Sequence, residues 1–160
     1  MAILIRRALG QDAGTLASLN ADVQAIHAAA MPWQFKPPGP DTFPPAAVAA
    51  LLAQPENLVF IADFDGTAAG YAYAEIVRRP ETPFSYALDM VYLHHISVRP
   101  AHRRRGVGGA LIGAVRAAAI DVNITLVALD VWTFNEEARA FFRRHGFVAY
   151  NERLWCRGVD

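Results

Sequence analysis

The sequence predicts a mixed α/β fold of the α+β kind, with elements in the order β-α-α-β-β-β-α-β-α-β around a central, mostly antiparallel sheet. Three features predict it. Leu16, Leu19, Val23, Ile26 and Ala30 recur at three- and four-residue spacing, which is one face of a helix. Two β-forming runs meet at Asp65-Gly66, a strong hairpin turn. After Pro100 the pattern becomes helix, apolar strand, helix, which gives a parallel strand pair joined by a right-handed crossover.

Residues 3–7 are a short run of β-formers. Gly10-Gln11-Asp12 breaks it, and Asp12 is placed to cap the following helix. Residues 31–45 contain Pro32, Pro37, Pro38, Pro40, Pro44 and Pro45, which rules out regular helix and central strand. The same loop carries Trp33, Phe35 and Phe43, so it is either packed down or shaping a pocket. Residues 46–53 read as a short second helix, ended before Pro55. Residues 57–63 and 67–77 are paired strands, with Tyr71, Tyr73 and Glu75 on one face and Ala72, Ala74 and Ile76 on the other. A polar turn leads to a third meander strand, residues 86–98. Residues 106–120 form an alanine-rich helix, 124–131 an apolar strand, 135–145 a helix stopped at Gly146, and 147–155 a last strand.

A length of 160 residues fits one domain spanning 1–160, able to bury roughly 70% of its unfolded surface. With 15 basic and 15 acidic residues, the chain lacks the net positive field of a nucleic-acid binder. Its 54% apolar content includes 30 alanines, and no apolar run approaches the ~20 residues of a spanning helix. The N-terminus lacks the pattern of a signal peptide, and the single Cys156 cannot form an internal disulfide. These features lead to the expectation of a cytoplasmic protein without a membrane or nucleic-acid partner, for which a homodimer is allowed.

The neutral total hides an asymmetry. Arg99, Arg103, Arg104, Arg105 and Arg116 cluster around one turn, with no acid between Asp89 and Asp121. Residues 93–112 carry this turn from a strand end into a helix start. Glycines let backbone approach a ligand closely, and a helix start offers unpaired N–H groups and a partial positive charge. Together they suit a pyrophosphate. Two nucleotide motifs fail. A P-loop needs Lys and Ser/Thr after its last glycine, and Gly109-Ala110 follow Gly108. The dinucleotide fingerprint needs a third glycine where Leu111 stands.

Arg103-x-x-Gly106-x-Gly108, preceded by Leu93, Ile96, Val98 and Pro100, resembles the acyl-CoA site of the GNAT superfamily of N-acetyltransferases. A second motif follows at a matching distance: Asn135, Ala138, Phe141, Phe142, Gly146 and Phe147 are similar to that family's Asn-x-x-Ala-x-x-aromatic-aromatic-x-x-x-Gly-Phe helix. The resemblance implies a GNAT-like sheet splayed between strands 4 and 5, with acetyl-CoA as co-substrate and no metal. Backbone groups of Ile96, Ser97 and Val98 would pair with the pantetheine arm as an added strand would. Arg103, Arg104, Arg105, Gly106, Val107, Gly108, Gly109 and Ala110 would surround the pyrophosphate. Asn135, Ala138, Phe141 and Phe142 would line the arm. The acceptor would be a primary amine of a small molecule or peptide, with Trp33 and Phe35 in the segment that covers it.

Amine acetylation needs a neutral amine, and a lysine-like ammonium has a pKa near ~10.4. A base is therefore required. The strand before the arginine turn offers His94, with Tyr92 two residues away; Glu75 on the adjacent strand is the carboxylate alternative. The family's usual proton donor, a tyrosine at the second aromatic of the pair, is replaced by Phe142. Alternating strand residues point to opposite faces, so His94 and His95 are a poor metal pair. The missing tyrosine and glutamate also admit a non-catalytic acyl-CoA-binding or sensing domain.

Overall fold

The computed structural model describes residues 1–158. In chain order it has β1 (Ile3–Arg7), α1 (Ala13–Ala30), α2 (Pro45–Leu52), β2 (Asn57–Phe64), β3 (Thr67–Arg79), β4 (Leu88–Val98), α3 (Val107–Asp121), β5 (Val127–Leu129) and α4 (Glu136–Arg144). Two compact units divide it: Met1–Asp130, which holds the sheet, and the segment from Val131 onward, which holds α4.

The strands of the first unit lie in the order β1-β2-β3-β4-β5. The first three pairings are antiparallel and β4–β5 is parallel, as the sequence pattern requires. Asp65 and Gly66 both adopt left-handed backbone (φ 48° and 82°), the twist that a two-residue hairpin needs. Leu16 and Leu19 of α1, Val48 of α2, Val59 and Ile61 of β2, and Tyr71 of β3 form one buried cluster. On the opposite face α3 packs across β1 to β4 through the buried Val107, Leu111, Ile112, Val115 and Ala119.

Asp12 does something other than cap α1 with its side chain. Its carboxylate takes the Leu9 N–H (2.8 Å) and both terminal nitrogens of Arg6 (2.9 and 3.0 Å), while the Arg6 Nε donates to Asp63 (2.9 Å). The Arg6 guanidinium holds the Asp12 carboxyl below its ordinary range. This pins the β1–α1 turn to β2.

β5 is shorter than the apolar run 124–131 suggested. Asn123 ends α3 in left-handed backbone (φ 59°), and Ile124 donates its N–H back to Ala119, so Ile124 is spent closing the helix. The last expected strand, residues 147–155, is not a strand among the described residues. Strand formers such as Val148, Tyr150, Leu154 and Trp155 remain exposed there. β propensity expresses packing against neighbouring strands, and this segment pairs with none among those residues.

Gly70 sits opposite Val98 in the β3–β4 ladder. A Cβ at Gly70 would lie 2.5 Å from the Ser97 carbonyl oxygen, a backbone atom that cannot swing aside. Gly70→Ala is expected to cost about 1–3 kcal/mol, read as a lower urea midpoint at unchanged slope.

Candidate functional site

The site begins with a register change in β4. Ala74 faces Leu93 and Tyr73 faces His95, which leaves His94 as an extra residue, a β-bulge. The bulge has two consequences. First, it reverses which backbone groups face which neighbour. Before it, Val91 donates its N–H toward β5, to Leu126. After it, Arg99 donates toward β3, to Ala69, and the Ser97 carbonyl lies against Gly70. Strand alternation then turns the backbone groups of Ile96 and Val98 to the other edge. Parallel pairing with β5 runs only from Val91 to Leu93, and no strand pairs with that edge beyond Leu93 among the described residues. This is the splay expected between strands 4 and 5. It also corrects one assignment: Ser97 faces β3 with its backbone, and its buried hydroxyl donates to Leu19 of α1 (3.0 Å).

Second, the bulge puts both histidines on the same side. The Tyr73 ring stacks on His94 (4.8 Å between centroids) and meets His95 edge-on (5.5 Å). The strict-alternation argument that separated them fails at a bulge. No group of three or more His, Cys, Asp or Glu among the described residues is placed to hold a metal ion.

His94 is solvent-accessible, and its Nε2 lies 2.7 Å from the Glu75 carboxylate. Tyr92 meets it edge-on at 4.9 Å. The three residues singled out for proton transfer therefore form one contiguous group. Burial and the Glu75 charge raise the Tyr73 phenol above its ordinary value, keeping it a proton carrier.

His95 has a different environment. The Asn20 side-chain amide donates to the Tyr71 hydroxyl (2.9 Å), which leaves the tyrosine's own proton for His95 Nδ1 (3.0 Å). Burial first, then the charges of His94 and His27, lower His95 to about 4. Sequence reasoning overlooked this chain. The alternation of Tyr71, Tyr73 and Glu75 was its only signal, and the bulge that brings His95 to it has none.

The lowered His95 value sets a stability prediction. Between about pH 4 and 6.5 the unfolded chain binds more protons than the folded one. Stability should therefore rise with pH across that window, and about 3 kcal/mol should be lost on acidification through it. Unfolding midpoints against pH check this, since His95→Gln should flatten the slope.

At the end of β4 the chain turns through Arg103, Arg104 and Arg105 into α3. Arg104 (φ 60°) and Gly106 (φ 85°) both have left-handed backbone, the kind of alternation that aims successive N–H groups into one concavity. Gly106 is the N-cap of α3 and offers no side chain to its amides. The first helical bond runs from Ala110 N–H to the Gly106 carbonyl (3.0 Å). Val107, Gly108 and Gly109 therefore present their N–H groups ahead of the helical ladder, whereas Ala110, grouped with them from sequence, has spent its own.

The arginines are not equivalent. Arg99 is tied to Ala68, Ser18 and Asp22, so it braces β4 against α1 and stands apart from the Arg103–Arg105 turn. Arg103 folds back and donates from Nε to the Val98 carbonyl (3.1 Å). Arg104 and Arg105 are exposed, with the Arg105 guanidinium 5.5 Å from the Phe64 ring centre.

A pocket of about 280 Å³ opens between α1 and the proline-rich loop. Phe43 lines it; Trp33 and Phe35 do not. Trp33 is more than half exposed, and Phe35 packs on His27 at 5.1 Å.

In the second unit, Asn135 caps α4, its Oδ1 accepting the Ala138 N–H (3.1 Å). Phe142 is buried and packs against Phe141 (5.3 Å) and Phe147 (5.6 Å), while Gly146 ends the helix turn with φ 81°.

An unpaired strand edge that runs into an arginine-flanked helix start has the chemistry to suit an extended amide-bearing ligand with an anionic tail. The family description "Acetyltransferase (GNAT) family" matches residues 20–147, and the chain belongs to that family. Over 110 residues it is 37% identical to N-alpha-acetyltransferase RimI of Mycobacterium tuberculosis, a match covering 68% of this chain and 63% of that protein. It is 33% identical over 102 residues to the 5-NmdU N-acetyltransferase of Pseudomonas phage PaMx11, covering 63% and 64% of the two chains. Among solved structures, a mutant form of the BH1408 protein from Bacillus halodurans superposes with a TM-score of 0.92 at 22% identity, covering 98% of this chain and 99% of that one. Aminoglycoside acetyltransferase AAC(6')-Iy, in complex with a bisubstrate analog, gives 0.77 at 24% identity over the full length of both. These structural likenesses concern the fold.

Proposed function

We propose that this chain is a cytoplasmic enzyme that transfers an acetyl group from acetyl-CoA directly to a primary amine of a small molecule or peptide, both substrates being bound together. The observation that carries this reading is the unpaired β4 edge at Ile96 and the Val98 N–H, followed by an α3 start at which the Val107, Gly108 and Gly109 amides precede the helical ladder. Edge amides suit the pantetheine arm, and the arginine turn suits its pyrophosphate. Acetyl-CoA supplies the thioester whose acyl carbon is attacked.

The chain's own groups perform the rest. The His94 side chain, through water or directly, takes the proton that the amine loses, and Glu75 at 2.7 Å orients the ring and shares the resulting charge. The Val98 N–H, on the open edge, polarises the thioester carbonyl. As the C–N bond forms and the C–S bond breaks, the leaving thiol (pKa near ~8.5) can depart as the thiolate. Phe142 cannot protonate it. Asn135, Ala138, Phe141 and Phe142 are assigned to the pantetheine arm by the family motif.

Phe142 also favours a second reading, a domain that binds acyl-CoA without turnover. One experiment separates the two: calorimetric titration with acetyl-CoA, followed by thiol release across a panel of amines. Binding with amine-dependent release supports the enzyme. Binding with no release from any amine supports the sensor.

A further inference from the structure

We infer that the pocket between α1 and the proline-rich loop selects the acceptor, and that it takes a flat, uncharged ring carried on a primary amine in preference to a polycation. The inference rests on the acetyl-transfer reading for its amine and on the pocket alone for its ring.

The lining decides the class. Its walls are Ala17, Asn20 and Ala21 of α1 with Pro38, Pro40 and Phe43 of the loop, and no charged side chain lines it among the described residues. The donors of its two polar side chains are partly engaged. The Asn20 amide donates to Tyr71, and the Thr42 hydroxyl donates to the Pro37 carbonyl (3.0 Å). Such walls reward apolar area and leave an ammonium group without a counter-charge. An apolar cavity of about 150 Å³ holds benzene, so about 280 Å³ admits a one- or two-ring group.

The neighbours decide the orientation. The Phe43 ring forms one wall and lies 5.8 Å, edge-on, from His95. Asn20, another wall, reaches the same histidine through Tyr71. His95 and His94 both contact Tyr73. The pocket and the histidine pair are therefore neighbours, separated by the Phe43, Asn20 and Tyr71 side chains, and the inference is that a ring seated in the pocket extends its amine arm past Phe43 toward that pair. Proline-rich walls lose little entropy on closing around a ligand, which favours a rigid occupant.

The test is calorimetry on the full chain with tryptamine, 2-phenylethylamine, a tripeptide beginning with Trp, spermidine and an aminoglycoside, alongside thiol release. Arylalkylamines or the Trp-initial peptide should bind about tenfold or more tightly than spermidine or the aminoglycoside. The two aryl arms distinguish a free amine from a chain terminus. Ala21→Trp, which fills the pocket, should remove that preference while acetyl-CoA affinity is retained. Pro40→Asp, on the exposed loop, should move preference toward spermidine and covers the case in which Ala21→Trp fails to fold. Equal or tighter binding of the polycations, or aryl binding indifferent to both substitutions, overturns the inference. Pocket-dependent aryl binding without thiol release leaves the inference standing and overturns acetyl transfer. Thiol release without aryl preference does the reverse.

Discussion

Gly108→Asp is expected to weaken acetyl-CoA binding by at least about 100-fold, or roughly 2.7 kcal/mol, while leaving the fold intact. Gly108 lies in the first turn of α3, ahead of the first helical hydrogen bond. A carboxylate there competes for the amides that are proposed to hold the pyrophosphate, and it repels that group by charge. The same carboxylate is favourable to the helix, because an acid in the first turn complements the dipole by about 0.3–1 kcal/mol. The thermal midpoint should therefore hold or rise as affinity collapses, a combination that simple misfolding cannot produce. Gly113→Asp supplies the control. It adds the same charge to the same helix at a position where a new Cβ meets nothing within 4 Å. If Gly108→Asp binds acetyl-CoA as the native chain does, the turn is not the anion site.

Much of this architecture was legible in the sequence because it depends on local chemistry. Residues 3–7 match β1, the Asp65-Gly66 turn fixes the hairpin, and the prolines of 31–45 keep regular structure out as far as residue 44, Pro45 itself opening α2. Two glycine positions also read correctly: Gly106 and Gly146 both carry the left-handed backbone that ends or begins a helix. What the sequence hid is non-local. The His94 bulge exists because β3 and β4 pair out of step, and no residue in either strand announces it. It turns Ser97 away from the open edge and brings His95 into the company of Tyr71 and Asn20. Arg99 looked like part of a basic cluster, yet Asp22 and Ser18, about 80 positions earlier in the chain, claim it. Residues 147–155 had the composition of a strand, but composition names no partner.

His94→Ala should lower kcat by about 10²–10⁴-fold, the usual contribution of a positioned proton acceptor, with acetyl-CoA affinity unchanged. The pH–rate profile is the sharper readout. If His94 takes the amine's proton, its removal abolishes the acidic limb of kcat/KM and leaves a rate that follows only the amine's own ionisation. Glu75→Gln keeps the shape of the partner and removes its charge. The 2.7 Å contact then orients His94 without stabilising an imidazolium, so a smaller loss, on the order of tenfold, is expected. The reverse ranking, with Glu75→Gln as damaging as removing the imidazole and His94→Ala nearly silent, would make the carboxylate the base and the histidine its neighbour. An unaltered profile in His94→Ala removes His94 from the role outright. Tyr73→Phe completes the set. It keeps the ring that stacks on His94 while deleting a phenol that burial and Glu75 hold protonated. A fall in kcat with amine KM unchanged would show that this hydroxyl assists the proton transfer centred on His94.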